Sequence, residues 1–225
     1  PSPFPPLPLV VVVRSYSYAH FCRDLDELAT ALQLPHFCVA GHSSGGPYAL
    51  AAAALLPERV LACAAVSSDP PYNHPRCPDT VRVSDSMASD QKGGFSGRDP
   101  VQKVSKWRAQ VMDGDDAAKQ WAWRPGVLGF VTDFTLERIP WSFKLEDVQL
   151  GERLTFWYGS KDYDPMIMGS PWMASLVPGS QLRVVEGGKH SFKSDPVHLS
   201  AILVELRDQA RRAAQRDRLD VAFTL

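Results

Sequence analysis

Apolar positions along this chain fall into two alternating patterns. Blocks rich in β-branched and apolar residues recur at Leu9–Val13, Phe37–Ala40, Val60–Val66, Arg153–Gly159 and Gln181–Glu186, each long enough for one strand. Between them apolar residues return every three or four places, the spacing of a helix with one buried face. Ser17 is placed to cap the first such helix, with Phe21, Leu25, Leu28, Ala29 and Leu32 inward and Arg23, Asp24, Asp26 and Glu27 outward. Leu34-Pro35 ends it. A run of very small residues, Pro47–Leu56, predicts a second helix, and Pro57-Glu58-Arg59 a turn. Ser170–Val177 reads as a third, stopped by Pro178-Gly179. The last runs from Pro196 to about Arg216, apolar at Leu199, Ile202, Leu203 and Leu206. Its Arg207, Arg211, Arg212 and Arg216 form a solvated face that complements the negative helix end. Strand and helix in this rhythm predict an α/β domain, a mostly parallel sheet flanked by helices.

The rhythm breaks twice. Residues 1–14 open with Pro1-Ser2-Pro3-Phe4-Pro5-Pro6-Leu7-Pro8, which reads as an irregular linker or the ragged start of a fragment. It lacks an initiator methionine and the basic start of a secretory signal. From about 70 to 147, glycine, proline and aspartate interrupt short helical patterns that carry Trp107, Trp121, Trp123, Phe130, Phe134, Trp141 and Phe143. This predicts a helical insertion over one end of the sheet, its aromatics forming the layer's own core and one or two of them lining a pocket. Residues 15–225 then make one domain with that insertion.

Composition narrows the function classes. Hydrophobic content of 44% and charged content of 22% suit a soluble globular chain of 225 residues with a single sizeable core. A formal net charge of −1 leaves no footprint for nucleic acid or an anionic membrane, and no apolar run reaches the length of a membrane span. Cys22, Cys38, Cys63 and Cys77 show no C-x-x-C pairing; Cys38 and Cys63 sit in strand-like runs as buried thiols, which favours a cytoplasmic or other reducing compartment.

The chemistry gathers where strands end. Phe37-Cys38-Val39-Ala40 runs into Gly41-His42-Ser43-Ser44-Gly45-Gly46 and then a helix, so Gly41-x-Ser43-x-Gly45 stands in the strand, sharp turn and helix that a nucleophile elbow requires. A serine at such a tip brings strand and helix close together, so only small residues fit two places either side. A serine needs a base to take its proton and a third group to hold that base in one tautomer. The strand ending at Gly159 delivers Asp162, with Asp164 close by, and the strand ending at Glu186 delivers His190. Asp69, after the preceding strand, is a third candidate for the acid. His42 adjoins the serine and reads as an elbow filler. His20, His36, His74 and His198 read as non-catalytic, with no metal-ligand spacing among them.

Gly41-His42-Ser43-Ser44-Gly45-Gly46, Pro57-Glu58-Arg59-Val60, Tyr158-Gly159-Ser160-Lys161-Asp162 and Gly187-Gly188-Lys189-His190-Ser191 together resemble the α/β-hydrolase superfamily. The resemblance is to cap-bearing serine hydrolases of the esterase and proline-iminopeptidase type, over about Ser15 to Arg207. It implies Ser43 as nucleophile, His190 as general base then acid and Asp162 as orienting acid. The main-chain N–H of Ser44 would be one oxyanion donor. It also implies a small-molecule substrate, no metal and no organic cofactor; it sets no oligomeric state. In that family several strands and a His-Gly loop precede the elbow, whereas about forty residues precede Ser43 here. The expectation is an amino-terminally truncated version of the fold, with the elbow strand at an exposed edge. An ester or amide hydrolase working through an acyl-enzyme is the leading function. The alternative is a catalytically impaired, binding-only relative; a third reading keeps the fold but performs carbon–carbon hydrolysis or acyl transfer.

Overall fold

Among the described residues, four parallel strands, paired in chain order, carry the architecture. The computed structural model describes residues 16–82, 100–114, 117, 120, 123–124, 126–137 and 139–219. The proline-rich start, the strand expected at Leu9–Val13 and Trp121 lie outside the described residues, as do the side chains of Trp107 and Phe134.

Helix α1 spans Tyr18–Ala31, and the Ser17 side chain accepts from the His20 N–H at its start. Strand β1 (Phe37–His42) follows, then α2 (Gly45–Leu55) and β2 (Val60–Val66). Every residue of β2 is buried, as befits a central strand covered on both faces. Its side chains feed two separate cores, alternating strictly only from Ala62 onward. Val60, Cys63 and Ala65 meet α1 and α2, while Leu61, Ala62, Ala64 and Val66 face the last helix. The small side chains of α2 let it lie close against the sheet: Ala49, Leu50, Ala51, Ala52 and Ala53 are all buried.

Between β2 and β3 the described residues contain no strand. They include α3 (Pro100–Met112) and α4 (Leu128–Leu136). Trp123 stacks on Phe130, and Trp141 stacks on Phe143 while meeting Tyr18 edge-on. The end of this stretch belongs to the main core, where Leu136, Phe143, Leu145, Val148 and Leu150 are buried with α1, α2 and β3. Strand β3 (Leu154–Gly159), helix α5 (Asp164–Leu176), strand β4 (Gln181–Val185) and helix α6 (Pro196–Asp217) complete the domain.

Three details depart from the pattern-based expectation. Helix α5 starts six residues before Ser170, with Pro165 in its first turn, and runs through Pro171 rather than beginning there. Leu28 of α1 and Leu32 just after it are exposed; α1 buries Ala29 as expected, together with Tyr18 and Cys22. In α6, Leu199 and Leu203 are likewise exposed; the buried stripe is Ile202, Leu206, Gln209, Ala210 and Ala213. Small residues decide this last face, because they let the helix approach β2 closely, and the Gln209 amide N–H2 donates to Thr155 Oγ1 at 2.8 Å and to the Glu152 carbonyl at 3.0 Å.

The register aligns the carboxyl ends of the strands. Gly41 and His42 pair with Ala65 and Val66, Val66 pairs with Trp157, and Gly159 pairs with Val185. Everything that leaves these strands therefore emerges along one edge, where open α/β sheets place their ligands. Among the described residues β1 pairs with β2 alone.

Candidate active site

Ser43 sits at the tip between β1 and α2 with φ of 55°, in the left-handed region that a residue with a side chain rarely adopts. Such a conformation costs about 1–3 kcal/mol and persists only where its surroundings enforce it. Here its N–H donates to the Val66 carbonyl at 3.0 Å, and its own carbonyl accepts from Gly46 at 2.8 Å and Asp69 at 3.3 Å. The two sides of the elbow touch through glycine: a Cβ on Gly41 would lie 2.1 Å from the Gly45 carbonyl oxygen. The expected matching constraint at Gly45 is absent, since a Cβ there would meet nothing within 4 Å. The crowded partner is Gly46, where a Cβ would fall 2.0 Å from Ser68 Oγ. The backbone of Gly45, not its α-carbon face, is what presses on the strand. The N–H of Ser44, the residue before α2, makes no hydrogen bond to a described residue.

The ends of β3 and β4 are joined in the same manner. A Cβ on Gly159 would lie 2.1 Å from the Gly188 carbonyl oxygen, and that oxygen accepts from the Lys161 N–H at 2.8 Å. This brings the Asp162 and His190 loops together. His190 Nδ1 lies 2.8 Å from Asp162 Oδ1, and His190 Nε2 lies 3.0 Å from Ser43 Oγ. Because the carboxylate only accepts, Nδ1 carries the proton; Nε2 is then the acceptor for the serine hydroxyl.

The Asp162 side chain is fully buried, whereas that of His190 is 21% exposed. Burial alone would raise the carboxyl pKa. The hydrogen bonds from His190, Ser67 and the Tyr163 N–H outweigh it and hold the group below its usual range. Neither of the other candidate acids hydrogen-bonds His190. Asp164 is the exposed first residue of α5. Asp69 is buried and accepts from the Tyr72 hydroxyl at 3.1 Å.

Two neighbours carried no distinguishing signal in the sequence. His42 is more than filler: its Nε2 lies 2.8 Å from the His190 carbonyl oxygen, and the two rings are 4.7 Å apart. Ser67, the residue after β2, donates its hydroxyl to Asp162 Oδ2 at 2.5 Å. A serine closing a strand looks like any turn serine, and a side chain's direction beside the elbow depends on a loop 148 residues away. Of the remaining histidines, His20 is bonded to Ser17 and His74 lies 3.3 Å from Glu146. His36 precedes β1, and His198 packs edge-on against Phe192. Among the described residues no group of three or more His, Cys, Asp or Glu is placed to hold a metal, and no helix is long and apolar enough to cross a membrane. Trp141 and Phe143 help line a cleft of about 460 Å³ between Pro71–Arg76 and Ile139–Glu146.

A family model described as the alpha/beta hydrolase fold matches residues 1–97, so the match begins ahead of Ser15 and takes in the elbow and β2. Solved structures extend the likeness to most of the chain. A carboxylesterase of the thaumarchaeon Nitrososphaera gargenis is 20% identical, covering 88% of this chain and 74% of its own, with a TM-score of 0.58. A meta-cleavage product hydrolase from Pseudomonas fluorescens is 16% identical over 87% of this chain and 73% of its own, with a TM-score of 0.55. An alpha/beta hydrolase fold protein from Nakamurella multipartita is 20% identical over 86% and 76%, also with a TM-score of 0.55. The curated proteins contain no match. The chain carries the α/β-hydrolase fold.

Proposed function

We propose that the chain is a serine hydrolase that cleaves an ester, amide or similar small substrate through an acyl-enzyme. The observation that carries this reading is the continuous hydrogen-bonded line Ser43 Oγ, His190 Nε2, His190 Nδ1, Asp162 Oδ1, at 3.0 and 2.8 Å, starting from a serine in left-handed backbone. Ser43 Oγ attacks the substrate carbonyl while His190 Nε2 takes its proton; Asp162 stabilises the resulting imidazolium and holds the tautomer. The Ser44 N–H, which bonds no described residue, and the amino end of α2 stabilise the developing oxyanion. His190 then returns the proton to the leaving group, and a water activated by the same nitrogen releases the acid. The helical stretch between β2 and β3 acts as the cap that shapes the substrate pocket. An ester is the first substrate class to try, since one of the similar structures is a carboxylesterase.

A fluorophosphonate probe tests the reading, because it reacts with an activated serine whatever the natural substrate. Wild-type protein should label and Ser43→Ala should not, with p-nitrophenyl ester hydrolysis lost in parallel. Folded wild-type protein that neither labels nor hydrolyses would instead be a binding-only relative.

A further inference from the structure

Ser67 has three properties that an ordinary turn serine lacks. It is fully buried, its φ is 45°, and its hydroxyl is spent on Asp162. A carboxylate that already takes the His190 Nδ1–H and the Tyr163 N–H (2.7 Å) on Oδ1 is ionised, so the Ser67 hydroxyl is the donor. The 2.5 Å separation is that of a charge-assisted O–H to carboxylate bond. The Ser67 N–H donates to the Trp157 carbonyl at 2.7 Å, which pins the residue to β3 just before the Asp162 turn. Glycine would occupy this left-handed backbone without strain but could not reach the carboxylate.

We propose that Ser67 is the positioning residue of the acid: it tethers Asp162 Oδ2 so that Oδ1 stays aligned with His190 Nδ1. Without it, Oδ2 would be a buried acceptor with no donor, and the carboxylate would turn toward whatever donor or water it could reach. The exit of β2 thereby serves both partners. Val66 accepts from the Ser43 N–H, and Ser67, the next residue, holds the acid. The titratable groups around the pair are His190 itself, the rings of His42 and Tyr163 at 4.7 and 4.8 Å from it, and Lys193, whose charge acts on His42. None of them hydrogen-bonds Oδ2.

The inference rests on the hydrolase reading for its kinetic consequence, but its physical core can be read without substrate. In protein labelled with 15N-histidine, exchange of the His190 Nδ1 proton with water reports the His190–Asp162 bond, and His190→Gln assigns the signal. Ser67→Ala and Ser67→Gly should speed that exchange about tenfold, the factor expected for one lost hydrogen bond of ordinary net strength. On an ester substrate kcat should fall by about tenfold or more with KM held within about twofold, the signature of a group needed only in the transition state. Ser67→Gly relieves the backbone strain, so a folded variant is secured even where Ser67→Ala melts early. Unchanged exchange in both folded variants overturns the assignment, as does faster exchange with unchanged kcat. Faster exchange in a protein whose wild type hydrolyses nothing upholds the tether and overturns the hydrolase reading instead.

Discussion

Nε2 of His42 lies 2.8 Å from the carbonyl oxygen of His190, so the residue just before Ser43 holds the loop that carries His190 back to Ser43. A carbonyl only accepts, which assigns the His42 proton to Nε2. Burial pushes the His42 pKa down, the bond to the His190 carbonyl pushes it up, and the sum lies below the ordinary 6.5. The folded chain then binds fewer protons at His42 than the unfolded chain, and stability falls as pH drops through 6.5. Asp162, held below 3.8, keeps its contribution above that value and loses it as pH falls further. Urea midpoints measured down a pH series should show both stages. His42→Gln, which keeps a donor but cannot titrate, should flatten the difference between about pH 7 and pH 5. A variant whose midpoint declines as steeply as wild type over that interval would contradict the assignment.

The glycines of the elbow are predicted to behave unequally. Gly41→Ala would drive a Cβ into the Gly45 carbonyl and Gly46→Ala would drive one into Ser68. Each should cost about 1–3 kcal/mol in urea denaturation, as overpacking of a tight contact does. Gly45→Ala meets open space and lies in the first turn of α2, so it should be neutral or stabilising by about 0.5–1 kcal/mol. Equal losses at all three positions would show that the motif spacing, rather than these contacts, governs the turn.

The choice between Asp162 and Asp164 as the acid can be made kinetically. Asp162→Asn keeps the shape but lets the amide donate toward His190, favouring the wrong tautomer; kcat should fall about 10⁴-fold. Asp164→Asn removes an exposed helix-start charge and should leave ester hydrolysis within about twofold of wild type. A larger effect from Asp164 than from Asp162 would reassign the acid.

At the start of α1, Ser17 accepts from the His20 N–H and also meets His20 Nδ1 at 2.8 Å. Ser17→Ala should lower stability by about 1 kcal/mol, read as a fall of roughly 2–4 °C in Tm. No change would mean that water replaces the cap fully.

Patterns in sequence were most legible where one physical demand dominates. Val60–Val66 must be apolar throughout because both its faces are covered, and its bounds could be read residue by residue. Ser17 announced its helix through capping chemistry, and the last helix starts at Pro196 as its pattern predicts. The placement of Ser43, Asp162 and His190 was equally visible, because each lies within a few residues of the end of β1, β3 or β4. Face assignments failed where size outweighed hydrophobicity. Leu199 and Leu203 look like core, yet Ala210 and Ala213 are what α6 lays against β2. Ser170 read as a helix start, yet α5 begins at Asp164 and runs through Pro171, with Met166 and Met173 buried on either side of it. His42 and Ser67 were illegible for another reason: their partners lie 148 and 95 residues away.

The flush strand ends also bear on how the chain reaches its native state. Ser43 and His190 are 147 residues apart in sequence, and among the described residues the strands that present them are the two outer members of a four-stranded sheet. Contacts of such separation form late, after the entropy of closing long loops has been overcome. During refolding, reactivity at Ser43 would therefore lag behind helix formation and rise only once β4 has docked on β3. Time-resolved labelling of that serine would serve as a clock for completion of the whole sheet.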